Sequence, residues 1–83
     1  MPVIDFADQL TPEVEETIED MFQYHAWTSE QVEKGAGVRA ALQAAVRIIV
    51  NNVPPCPDRS TAIRKLREAR MDANSAITHG GKY

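Results

Sequence analysis

Apolar side chains recur along this chain at intervals of three and four, and no stretch alternates strictly between apolar and polar. That period predicts helices and no strands. Val14, Ile18, Met21 and Phe22 mark a first short helix, roughly residues 12–24. Val38, Leu42, Ala45, Val46, Ile49 and Val53 mark a second, longer helix over 29–52, and Ile63, Leu66, Ala69, Ala73, Ala76 and Ile77 a third over 59–78. The expected fold is therefore all-α: a single helical domain over residues 1–83, with a short N-terminal helix and two long antiparallel helices. A segment rich in prolines, Asn51 to Pro57, reverses the chain between the long helices.

Local signals support these limits. Thr11 before Pro12 has the form of a helix N-cap followed by proline at the first helical position. Thr28 with Gln31 three residues later reads as a capping box. Asp58 after Pro57 is expected to cap the third helix, and Gly80 and Gly81 to stop it. Gly35 and Gly37 stand inside the second helix at a cost of about 1 kcal/mol each against alanine, so they mark a bend or a close approach. Before the first helix, Ile4 and Phe6 belong to a short arm able to dock on a neighbour.

A chain of 83 residues has little core of its own. Below about 70–80 residues a core rarely supplies more than about 3–5 kcal/mol, and oligomerisation often supplies the rest. The alanine-rich faces are the expected contacts of a helical homo-oligomer. The charge is divided along the chain. Residues 1–33 carry nine acids and no lysine or arginine, while residues 34–83 carry nine bases and three acids, so −9 and +6 combine to the net −3. The plain reading is that the acidic front packs against the basic back, within or between subunits. The functional reading is that some of the bases face a small anion. The acidic third disfavours binding to long nucleic acid. Within the third helix Arg70 falls inside the apolar stripe, where a guanidinium needs an anion or a carboxylate.

No catalytic set is visible. His25 and His79 have no partner at metal-ligand spacing, Cys56 is alone between prolines, and no glycine-rich loop follows a strand. The expectation is a binding protein without cofactor or metal, not an enzyme. No apolar run is long enough for a membrane span and no signal-peptide pattern opens the sequence, which points to the cytoplasm. Phe22, Tyr24 and Trp27 concentrate three of the five aromatics in one connector. Such rings serve as core plugs or as stacking platforms, and Tyr24, whose hydroxyl wants a wet end, is the better platform.

The order of several short motifs resembles a phage family, the type 2 anti-CBASS proteins. They are Phe22-x-Tyr24-His25, Gln31, Arg39, Pro54-Pro55, Leu66 to Ala69, and Met71-x-Ala73-Asn74-x-Ala76-Ile77, over residues 20–78. Members are small helical sponges that sequester the cyclic oligonucleotide alarms of bacterial immunity. The resemblance implies a compact homo-oligomer, a hexamer in studied members, with cyclic dinucleotides such as 3′,3′-cGAMP held between protomers and left uncleaved. It carries base stacking to Tyr24 and phosphate contact to Arg39, with His25 beside them. It also implies a separate site for cyclic trinucleotides, assigned to Arg59, Arg64 and Arg67 on the basic third helix. Ala26, Trp27 and Arg70 depart from the family pattern. Two other readings compete: an acidic helical module that docks on a host protein or mimics nucleic acid, and a module that lays its basic helix in a nucleic-acid groove.

Overall fold

The computed structural model describes residues 9–83, and the docking arm expected at Ile4 and Phe6 lies outside them. Three helices and no strand are present among the described residues: α1 Pro12–Phe22, α2 Ser29–Asn52 and α3 Pro57–His79. The protein is all-α. None of these helices is long and apolar enough to cross a membrane.

Two of the three predicted N-caps form. Thr11 Oγ1 accepts from the Val14 N–H at 3.2 Å, with Pro12 opening the helix. At α2, Thr28 N–H donates to Gln31 Oε1 at 2.9 Å and Gln31 N–H returns a bond to Thr28 Oγ1 at 3.2 Å. The start of α3 differs from expectation. Cys56, exposed and extended, occupies the cap position without a side-chain bond, Pro57 takes the first helical position, and Asp58 sits inside the first turn. Proline is pre-set for that position, so the helix begins on it, and Asp58 meets the dipole from within the turn. At the other end Gly80 and Gly81 adopt positive φ (62° and 77°), and the Gly81 N–H reaches back to the Ala76 carbonyl at 3.0 Å. That six-to-one bond closes a Schellman turn.

Helix α1 ends two residues before the expected limit. Gln23 is extended, and the His25 ring donates from Nε2 to the Asp20 carbonyl at 2.9 Å. A side chain thus satisfies one of the carbonyls that a helix end leaves open, and the chain is free to turn.

Helices α2 and α3 pack antiparallel. Gln31 Nε2 donates to the Ile77 carbonyl at 3.0 Å at one end, and Arg59 Nη1 donates to the Val53 carbonyl at 3.2 Å at the other. Half-buried Val38, Leu42, Ala45, Val46 and Ile49 face half-buried Ile63, Leu66, Ala73 and Ile77. Trp27 closes the α2 N-terminal end of this seam. Its Nε1–H donates to Thr78 Oγ1 at 2.7 Å, and Thr78 passes a bond to the Asn74 carbonyl at 2.8 Å. The indole lies so close to Gly35 that a Cβ there would stand 2.7 Å from Trp27 Cη2. Gly35 is the close approach that the sequence signalled, whereas Gly37 faces open space.

The described residues form no dry core. Among the described residues Gly35 alone is buried, and no hydrophobic side chain is. The radius of gyration is 16.8 Å, against about 12 Å for a compact chain of this length. Ile48 is 62% exposed and Met71 66%. Between Arg39 and the end of α2 the sole charge is Arg47, and the face opposite α3 carries Gly37, Ala40, Ala41, Ala44 and Ile48. A helix apolar on two faces suits burial on both sides.

Candidate ligand-binding site

The expected binding residues occupy two places on the protomer. Tyr24 is 87% exposed and stands at the lip of an open cleft of about 690 Å³ that His25, Trp27, Val32 and His79 also line. The aromatic connector therefore divides its work. Trp27 plugs the helix seam, and Tyr24 presents its ring outward. Phe22 is exposed too, at 83%.

Arg39 lies elsewhere. It sits on α2 eleven residues beyond the Thr28 cap, about 16 Å along the helix axis. There it lines a groove of about 260 Å³ between α2 and α3 with Arg47, Arg67 and Arg70. Leu42, Val46 and Leu66 form the floor, and no carboxylate lines it. Arg70, expected within the apolar stripe, is exposed and lines this groove beside Leu66 and Arg67. Of the three arginines assigned to a second site, Arg67 alone reaches the groove. Arg59 is held by the Val53 carbonyl, and Arg64 is exposed.

Among the described residues no arginine forms an ion pair; the ion pairs present are Lys34 with Glu30 and Lys82 with Asp20, and both histidine rings stand within 3.7 Å of the Asp20 carboxylate. Among the described residues, therefore, the acids of the front do not pair with the arginines of the back. Four guanidiniums around an apolar floor can hold phosphate through forked, charge-assisted bonds while the floor accepts a ring or a sugar edge.

A third cluster joins the end of α1 to the end of α3, and no local pattern announces it. Tyr83 OH donates to Asp20 Oδ2 at 2.6 Å and Lys82 Nζ to the same oxygen at 3.3 Å. The His25 and His79 rings meet edge to face with centroids 5.2 Å apart, and His79 and Tyr83 do so at 5.0 Å. Both histidines were expected to be isolated. The fold brings them together across 54 residues, and the one sequence hint was that each follows or ends a helix. The cluster anchors the connector that carries Tyr24.

The Tyr83 bond, followed by Lys82, holds the Asp20 carboxyl below its ordinary 3.8. The bond to Asp20, then burial, pushes the Tyr83 phenol from 10.0 up to about 12. The signs are opposite. Asp20 contributes stability that is full above its ordinary value and is lost as pH falls through the depressed one; Tyr83 contributes below its ordinary value and loses it as pH rises through about 12. Tyr83→Phe is thus expected to lower the melting temperature at neutral pH, with the deficit shrinking at about pH 2. A deficit unchanged between the two conditions would show that the ring, not the Asp20 bond, stabilises the joint.

No protein-family model, curated protein or solved structure matches the chain.

Proposed function

We propose that this protein binds cyclic oligonucleotide second messengers and sequesters them without cleavage, as a helical homo-oligomer acting in the cytoplasm of an infected bacterium against CBASS signalling. The groove of Arg39, Arg47, Arg67 and Arg70 carries the reading. It concentrates unpaired guanidiniums over an apolar floor, which suits the phosphates and ring edges of a small cyclic nucleotide. Exposed Tyr24 supplies a face on which a base gains about 1–3 kcal/mol by stacking. The type 2 anti-CBASS resemblance over residues 20–78 names the ligand class.

Two observations favour an oligomer. The protomer exposes 6687 Å², against about 4,900 Å² for a compact monomer of 9.2 kDa. The groove, at about 260 Å³, falls short of the roughly 300–1,000 Å³ of pockets that enclose a small molecule, so a second protomer completes it. A hexamer is the assembly that the resemblance implies. The cyclic dinucleotide site then unites Tyr24 and His25 of one protomer with Arg39 of another, and Arg67 serves a cyclic trinucleotide.

Isothermal titration with 3′,3′-cGAMP tests this. Wild-type protein is expected to bind tightly, Tyr24→Ala to lose about 1–3 kcal/mol of binding, and Arg39→Ala about 1.5–3 kcal/mol for a hydrogen-bonded charge. Heating the complex is expected to release intact ligand. Linear products would overturn sequestration. Silence with both this ligand and a cyclic trinucleotide would transfer the reading to a protein-docking module, for which the exposed acids Glu13, Glu15, Glu16 and Glu19 of α1 are the natural surface.

A further inference from the structure

We propose that Asp20, His25 and His79 form a binding site for a zinc-class divalent metal ion at the joint between α1 and the end of α3. One ligand atom from each of the three lies within 4.8 Å of the others. His25 Nε2 stands 3.6 Å from Asp20 Oδ1, and His79 Nδ1 3.7 Å from Asp20 Oδ2. A tetrahedral zinc ion with bonds of about 2.0–2.1 Å places its ligand atoms about 3.3 Å apart. These two pairs, each through a different oxygen of the Asp20 carboxylate, are within a few tenths of an ångström of that spacing.

The donor set selects the ion. Two imidazoles and one carboxylate suit zinc, cobalt and nickel, whereas magnesium and calcium prefer sites built from oxygen alone. Three protein ligands leave a coordination position for water or another oxygen. The surroundings resemble the support that such ligands need. The Tyr83 hydroxyl donates to Asp20 Oδ2 at 2.6 Å, as an outer partner of a ligating carboxylate does. The His79 side chain is only 9% exposed, so its ring is held in place.

Two contacts oppose the ion, and both are specific. His25 Nε2 now carries the proton that bonds the Asp20 carbonyl. Metal binding needs that proton to leave Nε2, which frees the Nε2 lone pair and breaks the bond to the Asp20 carbonyl. The Lys82 ammonium, 3.3 Å from Asp20 Oδ2, repels a second cation. Lys82→Gln should therefore strengthen metal binding while leaving every ligand in place.

This inference shares His25 with the cyclic-nucleotide reading but does not rest on it, and its test needs no nucleotide. Full-length protein freed of metal by chelation is titrated with Zn²⁺ by calorimetry, and with Co²⁺ by visible absorption, whose intensity reports tetrahedral nitrogen and oxygen ligation. The expected result is one ion per chain, a higher melting temperature with Zn²⁺, and no response to Mg²⁺. His25→Gln and Asp20→Asn are expected to weaken Zn²⁺ at least about tenfold, and Lys82→Gln to tighten it. Circular dichroism at matched temperature separates loss of ligand from loss of fold, and half-exposed His25, on the connector, is the variant least able to unfold the chain. Zn²⁺ affinity weaker than about millimolar, or affinity unchanged in both ligand variants, would overturn the proposal.

Discussion

Gly35→Ala is expected to destabilise the protein by about 1–2 kcal/mol, although alanine is the better helix former. The two effects oppose each other. A methyl group at position 35 would meet the Trp27 indole at Cζ3, and at Cη2 at 2.7 Å, closer than side-chain carbons approach in folded proteins. The indole has little room to retreat, since its Nε1–H is bonded to Thr78 Oγ1 and its ring fills the end of the α2–α3 seam. Forcing an extra methyl into such a contact costs about 1–3 kcal/mol. Helix propensity returns up to about 1 kcal/mol. The net loss lowers the melting temperature by about 4–8 °C for each kcal/mol in a chain of this size. Gly37→Ala is the internal control. Nothing approaches a Cβ there, so propensity acts alone and the variant is expected to gain up to about 1 kcal/mol. Thermal melts followed by circular dichroism decide the matter. Equal stability of the two variants would mean that Trp27 does not wedge against Gly35. A loss at Gly37 together with dissociation in sedimentation would place that glycine in a subunit contact.

The contrast between these two glycines shows how far the sequence can be read. Both are conspicuous in a helix, but only the fold says which one faces a ring. Features set by neighbours along the chain were legible. Thr11 with Pro12, Thr28 with Gln31, and the Gly80–Gly81 stop all use bonds that span five residues or fewer. The α3 start was misplaced because Cys56 lacks a capping side chain and Pro57 sets the register alone. Contacts that span the chain were not legible. Trp27 with Thr78, Asp20 with Tyr83, and His25 with His79 each join residues more than fifty positions apart, and no local period encodes them. The arginines fall between these cases. Arg39 and Arg67 could be named separately from the sequence, but their shared groove depends on the register of α2 against α3. Arg70 shares the wheel face of Leu66 and Ala73, but its exposure at the groove depends on the packing of α2 against α3.

Mixing two weakened variants is expected to restore tight cyclic-dinucleotide binding at part of the sites. Tyr24 and Arg39 line different openings of one protomer, the first at the connector cleft and the second in the groove between the long helices. Eleven residues of rigid helix, about 16 Å, separate Arg39 from the Thr28 cap. On the proposed reading, a site that uses both groups takes them from two protomers. If Tyr24→Ala and Arg39→Ala chains are unfolded together at equal ratio and reassembled, each protomer still brings one intact group. With random assembly through a head-to-tail contact, about one quarter of the sites receive an intact tyrosine from one neighbour and an intact arginine from the other. Each variant alone provides none. Calorimetry of the mixture is thus expected to recover about a quarter of the wild-type stoichiometry at near wild-type affinity. Simple blending without unfolding should recover this only as fast as subunits exchange, which separates shared sites from residual binding by either variant. If reassembly recovers nothing while both variants still form the oligomer, each site is built within one chain. The two residues would then serve different ligands, and the groove, with Arg39 and Arg67 together, would be a binding site complete without Tyr24.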